Sequence, residues 1–315
     1  MSLLPRDEIS RRAWLGAAVL FAAPRLRAEA DAHGLRVSIF SKHLHFLDGE
    51  ALATAAAQLG FDAIDLTVRR GGHVEPERVT RDLPRLASLI QKSHLDLSML
   101  TTDIVDANSP FAEDILRTMQ QLGIRYYRWG GFKYDYSHPL ELQLEALKSR
   151  VASLAKLNRR YGTTAMYHTH SGVGMVGASI WDLHIILKDF DPNYVAINYD
   201  IAHATIEGGF GGWINSFEIA KPHIRGIAVK DFIWVKGAGN RWKAEFVPLG
   251  TGMVHLSEFF RMVKQSGFSG PVQLHFEYPL GGAEDGLRTL RVEQADVFTA
   301  MKRDLHILRN TIRQD

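Results

Sequence analysis

Three stretches of the chain bring imidazoles and carboxylates to the ends of apolar segments. In VAINYD (195–200), alternate side chains face opposite sides of an extended backbone, so Asn198 and Asp200 share one face, and His203 follows three residues later. YHTH (167–170) sets His168 and His170 on one face, and LHFEY (274–278) does the same for His275 and Glu277. A carboxylate at the end of a buried strand is costly unless it is paired, hydrogen-bonded or bound to metal. Neutral imidazoles with carboxylates suit Mn, Zn, Co or Mg better than soft, copper-type sites do. Such an ion could polarise a sugar carbonyl or clamp two vicinal oxygens while a carboxylate moves a proton.

Bringing these groups together requires strands that run side by side. Beyond the first thirty residues, strands are expected at 35–41, 61–68, 95–101, 124–130, 163–170, 195–200, 224–231 and 271–278. Helices are expected between them at 49–59, 76–93, 110–122 and 179–190, with a long one closing at Tyr161-Gly162 and a last one over 286–310. Turns such as Leu-Gly-Phe-Asp and Leu-Gly-Ile-Arg stop a helix and open a strand. Eight such units read as a closed (β/α)8 barrel, with its reactive groups at the carboxyl ends of the strands. An open doubly wound sheet would need a glycine-rich phosphate loop after its first strand, and SKHLHFLDG stands there instead.

In a barrel, His168, Asp200 and Glu277 fall at one level, with His170, His203 and Lys230 beside them. His43 after strand one, His73 in the RRGGHVEP loop, Arg128 and Trp129 at the end of strand four, and His170 are the expected substrate contacts. His275, a layer deeper, is expected to be a packed, hydrogen-bonded core histidine.

The order of these motifs resembles the xylose-isomerase-like barrel superfamily of sugar (phosphate) isomerases and epimerases, particularly its exported twin-arginine branch, over most of residues 35–310. YHTH is similar to the Tyr-His-Asn-His of that branch, and NYDIAHA (198–204) to its Asp-x-x-His on strand six. IAVKD (227–231) resembles the strand-seven His-x-Lys-Asp, and FEY (276–278) the strand-eight metal glutamate. The resemblance implies a xylose isomerase-like TIM barrel in which His168, Asp200 and Glu277 hold a divalent ion (Mn, Zn, Co or Mg) and His203 meets metal-bound substrate oxygens. One position departs, because Ala228 stands where the strand-seven ligand is a histidine. Either other histidines compensate, or Lys230, on the same face as Ala228, fills that space as a cation.

Residues 10–15, Ser-Arg-Arg-Ala-Trp-Leu, with the apolar GAAVLFAA and then Ala28-Glu29-Ala30, resemble a twin-arginine export signal and its cleavage site. The expected organisation is a signal over 1–30, one barrel domain over 31–315, and a periplasmic or otherwise exported product. An amphipathic N-terminal helix or membrane anchor is the alternative. Without residues 1–30 the chain keeps 32 basic and 32 acidic residues. A formally neutral chain with no basic face argues against a nucleic-acid partner. The lack of cysteine excludes disulfide frameworks and thiolate zinc sites. The expected partner is a small carbohydrate, with no membrane contact after signal cleavage. Phe232, Ile233 and Trp234 could cover either a substrate or a neighbouring subunit of a homo-oligomer.

These features lead to an enzyme that transfers a proton next to the carbonyl of a non-phosphorylated sugar or keto-sugar, an isomerase or epimerase. Glu277 is its expected acid/base, and His203 or Lys230 steadies the enediolate-like charge. A lyase eliminating an aglycone from a keto-glycoside would use the same atoms. A catalytically inactive sugar-binding barrel is the reading that Ala228 favours. A DNA-repair endonuclease of the endonuclease IV type would need histidine ligands on strand seven and its loop, and IAVKDFIWV (227–235) has none.

Overall fold

The computed structural model describes residues 34–314; the twin-arginine stretch lies outside the described residues. Among the described residues ten strands follow in order: β1 (Val37–Phe40), β2 (Ala63–Val68), β3 (Asp96–Thr102), β4 (Tyr126–Trp129), β5 (Thr164–His168), β6 (Val195–Asp200), β7 (Ile224–Val229), β8 (Asp231–Lys236), β9 (Trp242–Val247) and β10 (Val272–Leu274). Strands β1 to β7 and β10 pair in parallel and close into a barrel, β10 lying between β7 and β1. The helices are α1 (Gly49–Leu59), α2 (Val79–Lys92), α3 (Ala112–Leu122), α4 (Leu140–Tyr161), α5 (Ile180–Leu187), α6 (Ile201–Gly208), α7 (Gly212–Ala220), α8 (Leu256–Gln265) and α9 (Gln294–Gln314). None of the helices among the described residues is long and apolar enough to cross a membrane.

The barrel forms because the strands are buried on both faces while the helices are apolar on one. Strands β2, β5 and β6 are buried at every position, as a sheet covered by helices demands. Large rings fill the layer between barrel and helices, with Tyr199 of β6, Phe217 of α7 and Phe259 of α8 in mutual contact. Removing one such ring costs about 3–5 kcal/mol. Helices α1 and α3 stop at Gly60 and Gly123, both left-handed (φ 93° and 72°). The next N–H in each case, of Phe61 and Ile124, returns to a carbonyl of the last turn, Ala56 and Met119. That closure aims the chain into the following strand. Inside the barrel, Met99, Met166 and Ala196 form a separate apolar plug, one layer below His168 and Asn198.

Two expectations change. Strand seven was expected to run through Asp231, but β7 ends at Val229 and a two-stranded antiparallel hairpin, β8–β9, begins at Asp231. Asp231 is fully buried, and its carboxylate accepts the N–H groups of Phe232, Gly250, Gly252 and Val254. The apolar alternation continues through IAVKDFIWV, but this four-donor cage turns the chain out of the barrel. The last helix begins at Gln294 instead of 286, because Glu284 accepts the N–H groups of Leu280 and Gly282 and holds a compact loop there.

Candidate active site

Asp200 closes β6 and opens α6: its Oδ1 accepts the N–H of His203 at 3.1 Å, capping the helix. This cap brings the His203 ring back over the barrel mouth. Lys230, in the break between β7 and β8, is buried and reaches the same place. Its ammonium donates to Glu277 Oε2 at 2.8 Å and to His203 Nε2 at 2.8 Å, and lies 3.2 Å from Asp200 Oδ2. The Asp200 contact is an ion pair without an aligned hydrogen bond. Since an ammonium only donates, His203 Nε2 is an acceptor and its hydrogen sits on Nδ1, donated to Ser171 Oγ at 2.8 Å. Phe246 of β9 covers the cluster, its ring centre 4.5 Å from Lys230 Nζ and 5.8 Å from the His203 ring. The hairpin that sequence reasoning missed is thus the roof of this site.

The charges are strongly coupled. Burial would lower the Lys230 pKa, but Asp200 and Glu277 outweigh it and raise the value above that of a free lysine. Burial would raise Glu277, yet the Lys230 ammonium, with His275 and Lys42, holds it well below the usual carboxylate range. His203 is lowered to about 4 by burial and by Lys230, and His170 to about 3 by burial and by Arg128. The mouth at neutral pH therefore holds an ionised Lys230–Glu277–Asp200 cluster among neutral imidazoles.

His168 and His275 stack at 5.5 Å, and Phe40 lies on His275 at 4.8 Å. His275 is packed as expected, but neither of its nitrogens has a hydrogen-bond partner; Glu277 Oε1, 3.6 Å from Nδ1, is too distant. Donor atoms of His168, Asp200 and His275 lie within 4.8 Å of one another, as do those of His168, His170 and His203. Glu277, expected with His168 and Asp200, stands outside both groups because the Lys230 ammonium holds it. Two neutral imidazoles and a carboxylate are a suitable donor set for a borderline divalent ion. One of the two unpaired His275 nitrogens and the unaligned Asp200 Oδ2 are atoms such an ion would satisfy. His168 Nδ1 faces the amide nitrogen of Asn198 at 3.2 Å, while Asn198 Oδ1 is buried without a partner. An ion on His168 Nε2 needs that amide turned over, so that its oxygen takes the Nδ1 hydrogen.

Several expected substrate contacts lie elsewhere. Arg128 and Trp129 are neighbours on a strand and cannot share a face. Arg128 enters the barrel, where it donates to His170 Nε2 at 3.1 Å. Trp129 is buried in the outer layer against Phe132 and Tyr167. His43 is fully buried, linking Ala283 O to the Phe276 N–H. His73 donates Nε2–H to Leu47 O and takes Thr67 on Nδ1, which braces its loop. Trp129 and His43 are thus packed, and His73 is tied into its own loop. Sequence reasoning missed Lys42, 3.8 Å from Glu277 Oε1, and Asp65 on β2. Asp65 is buried against the Thr101 hydroxyl and raised to about 7 by burial. A carboxylate inside the apolar FDAIDLTV was the available signal for Asp65. A cleft of about 280 Å³ lies at the opposite, amino-terminal end of the strands, between Tyr126, Arg225 and Phe268. It holds no acid–base cluster, so chemistry places the candidate site at the mouth.

Residues 53–292 match the xylose isomerase-like TIM barrel family, and the chain belongs to it. A search of curated proteins found no match. Among solved structures, it is similar to a 3-keto-D-glucoside 4-epimerase from E. coli, with TM-score 0.61 and 12% identity over 88% of this chain and 99% of that one. A xylose isomerase domain protein from Planctomyces limnophilus gives TM-score 0.62 and 17% identity over 90% and 100%. A D-psicose 3-epimerase from Clostridium cellulolyticum, solved with D-tagatose, gives 0.63 and 14% over 88% and 99%. At these identities the likeness establishes the fold.

Proposed function

We propose that this protein is a sugar isomerase or epimerase that moves a proton next to the carbonyl of a non-phosphorylated sugar or keto-sugar. The observation that carries the reading is the buried Lys230 ammonium held between Glu277, Asp200 and His203 at the mouth of the barrel. The 3-keto-D-glucoside 4-epimerase and D-psicose 3-epimerase among the structural relatives support it. The export expected from residues 10–30 favours free or oxidised sugars over sugar phosphates.

Glu277 is the most accessible member of the cluster, its side chain 23% exposed, so an incoming substrate meets it first. Being ionised, it can take the proton from the carbon beside the carbonyl. The C–H electron pair becomes the enediolate π bond, and negative charge develops on the carbonyl oxygen. Lys230 has one hydrogen without an aligned acceptor, and that hydrogen is available to this oxygen. His203 fixes the ammonium from the other side. Return of the proton by Glu277 to the adjacent carbon, as the hydroxyl proton there passes to the first oxygen, gives the isomer; epimerisation needs a second acid on the opposite face of the enediolate. A divalent ion on His168, Asp200 and His275 would add Lewis-acid polarisation of the substrate oxygens.

The test is solvent exchange. The purified protein, with Mn supplied or with chelator, is incubated in D2O with D-fructose, D-tagatose and 3-keto-glucosides, and proton NMR follows deuterium entry beside the carbonyl. Exchange by the parent, reduced about 10²- to 10⁴-fold in Glu277→Gln, is expected. Binding of a keto-sugar with no exchange under any condition would reduce the protein to a sugar-binding barrel.

A further inference from the structure

The mouth and upper interior of the barrel hold four cationic side chains, Lys42, Arg69, Arg128 and Lys230, against three carboxylates, Asp65, Asp200 and Glu277. Their pairing is uneven. Lys230 takes Glu277 and Asp200, Lys42 approaches the other oxygen of Glu277, and Asp65 is spent on the Thr101 hydroxyl. Among the described residues, neither guanidinium is left with a carboxylate in direct contact, and Arg128 meets Asp65, Glu277 and Asp200 only at longer range. Arg128 is partly buried and has one hydrogen bond, to the neutral His170. Among the described residues, no carboxylate oxygen lies within 4.0 Å of Arg128. The Arg69 side chain lies 5.7 Å over the Phe40 ring, and among the described residues it has no hydrogen bond or ion pair. Carboxylates of the surrounding loops are committed to backbone N–H groups: Asp103 to Arg70, Glu75 to Gly71, and Glu284 to Leu280 and Gly282. A guanidinium has five donors and favours a planar, two-pronged acceptor. Holding one partly out of water with a single bond is costly unless a ligand completes it.

Resting on the reading of this mouth as a sugar isomerase or epimerase site, we infer that the substrate is an acidic sugar whose carboxylate is bound by Arg128 and Arg69. The chemical class is a uronate or keto-aldonate. The two oxygens of a planar carboxylate match the guanidinium fork, and the D-glucose 6-phosphate comparison separates it from a phosphate. The carboxylate end anchors at β2 and β4, which leaves the carbonyl end for Lys230 and Glu277 on the β7 and β10 side.

The experiment is calorimetric titration of the purified full chain with matched pairs: D-glucuronate against D-glucose, D-galacturonate against D-galactose, and 2-keto-D-gluconate against D-fructose, with D-glucose 6-phosphate alongside. In at least one pair the acid should bind about tenfold or more tightly than its neutral partner. Arg128→Met and Arg69→Gln should each weaken the acid about tenfold more than its neutral partner, which removes the preference. Arg128→Lys should keep part of the preference. Arg69 lies on a loop, so Arg69→Gln carries the test if Arg128→Met does not fold. Neutral sugars that bind as tightly as the acids and exchange deuterium would overturn the acidic-substrate inference and leave the isomerase reading standing. Tighter binding of D-glucose 6-phosphate than of every carboxylate would overturn the inference in favour of a phosphate. Failure of every compound to bind would sink both readings.

Discussion

Lys230 is the residue on which the mouth depends, because one ammonium pairs with the buried Asp200 and the partly buried Glu277. Lys230→Met leaves Asp200 without its cation and Glu277 with only the more distant Lys42, and unfolding stability at pH 7 should fall by about 3 kcal/mol. The loss should shrink as pH drops towards 4. In the parent the depressed carboxyl pKa values contribute stability above the unfolded value that is lost on acidification, whereas the variant relaxes once its carboxyls protonate. The same substitution removes a positive charge 3.2 Å from Asp200 Oδ2, so divalent-ion affinity should rise, which equilibrium dialysis against Mn or Co would show. Asp65 behaves oppositely. Burial raises its folded pKa to about 7, so the folded state binds the proton more tightly, and stability declines as pH rises from about 4 to 7. Asp65→Asn keeps an acceptor for Thr101 and should remove that decline, gaining about 2–4 kcal/mol at pH 8 in urea denaturation. A variant no more stable than the parent at pH 8 would show that Arg128 and Arg69 already compensate the charge.

At the scale of elements, the hairpin β8–β9 converts an open barrel mouth into a covered one. Its anchor is Asp231, with four N–H donors on one carboxylate. A side chain at Gly252 would bring a Cβ within 2.2 Å of Asp231 Oδ1. Asp231→Ala should therefore cost about 3 kcal/mol or more and accelerate amide exchange in residues 231–254, while β1–β6 stay protected. Equal protection throughout would mean that the hairpin is held by Phe232 and Phe246 packing instead. The hairpin also marks where the sequence stopped being legible. Period-two alternation fixes faces, so the convergence of His168, Asp200, Glu277 and Lys230 could be read from spacing alone. Spacing does not say where a strand leaves its sheet, and IAVKDFIWV alternates through the break. Arg128 and Trp129 are adjacent on β4, so only one of them can face the interior, and period two alone does not say which. His275 lay on the correct face and layer, but whether its nitrogens find partners depends on neighbours contributed by β1, β5 and the loop after β10, which no local pattern encodes.

For the whole molecule, the barrel mouth and the loops around it are a store of neutral imidazoles. Burial is the first cause lowering His43, His45, His73, His168, His170, His203 and His275, with His45 and His203 brought to about 4 and His170 to about 3. In the unfolded chain each returns to about 6.5 and protonates freely. Between pH 6.5 and 4 the unfolded state thus binds more protons than the folded one, and stability must fall as pH is lowered through that window. Each such histidine adds a slope of up to about 1.4 kcal/mol per pH unit. Among the described residues, Asp65 and Asp304, both raised by burial, oppose this trend. Acid unfolding is therefore expected to be a single cooperative event centred above pH 4 and to take up about three or more protons per chain. Circular dichroism against pH gives the midpoint, and the pH dependence of the urea midpoint gives the proton count. A bound divalent ion would move the midpoint downward, because it binds the folded chain and adds stability until protons displace it from His168 and His275. A flat stability profile from pH 7 to 4 would mean that these histidines reach solvent in the folded state and would remove the neutral-imidazole mouth on which the proposed chemistry rests.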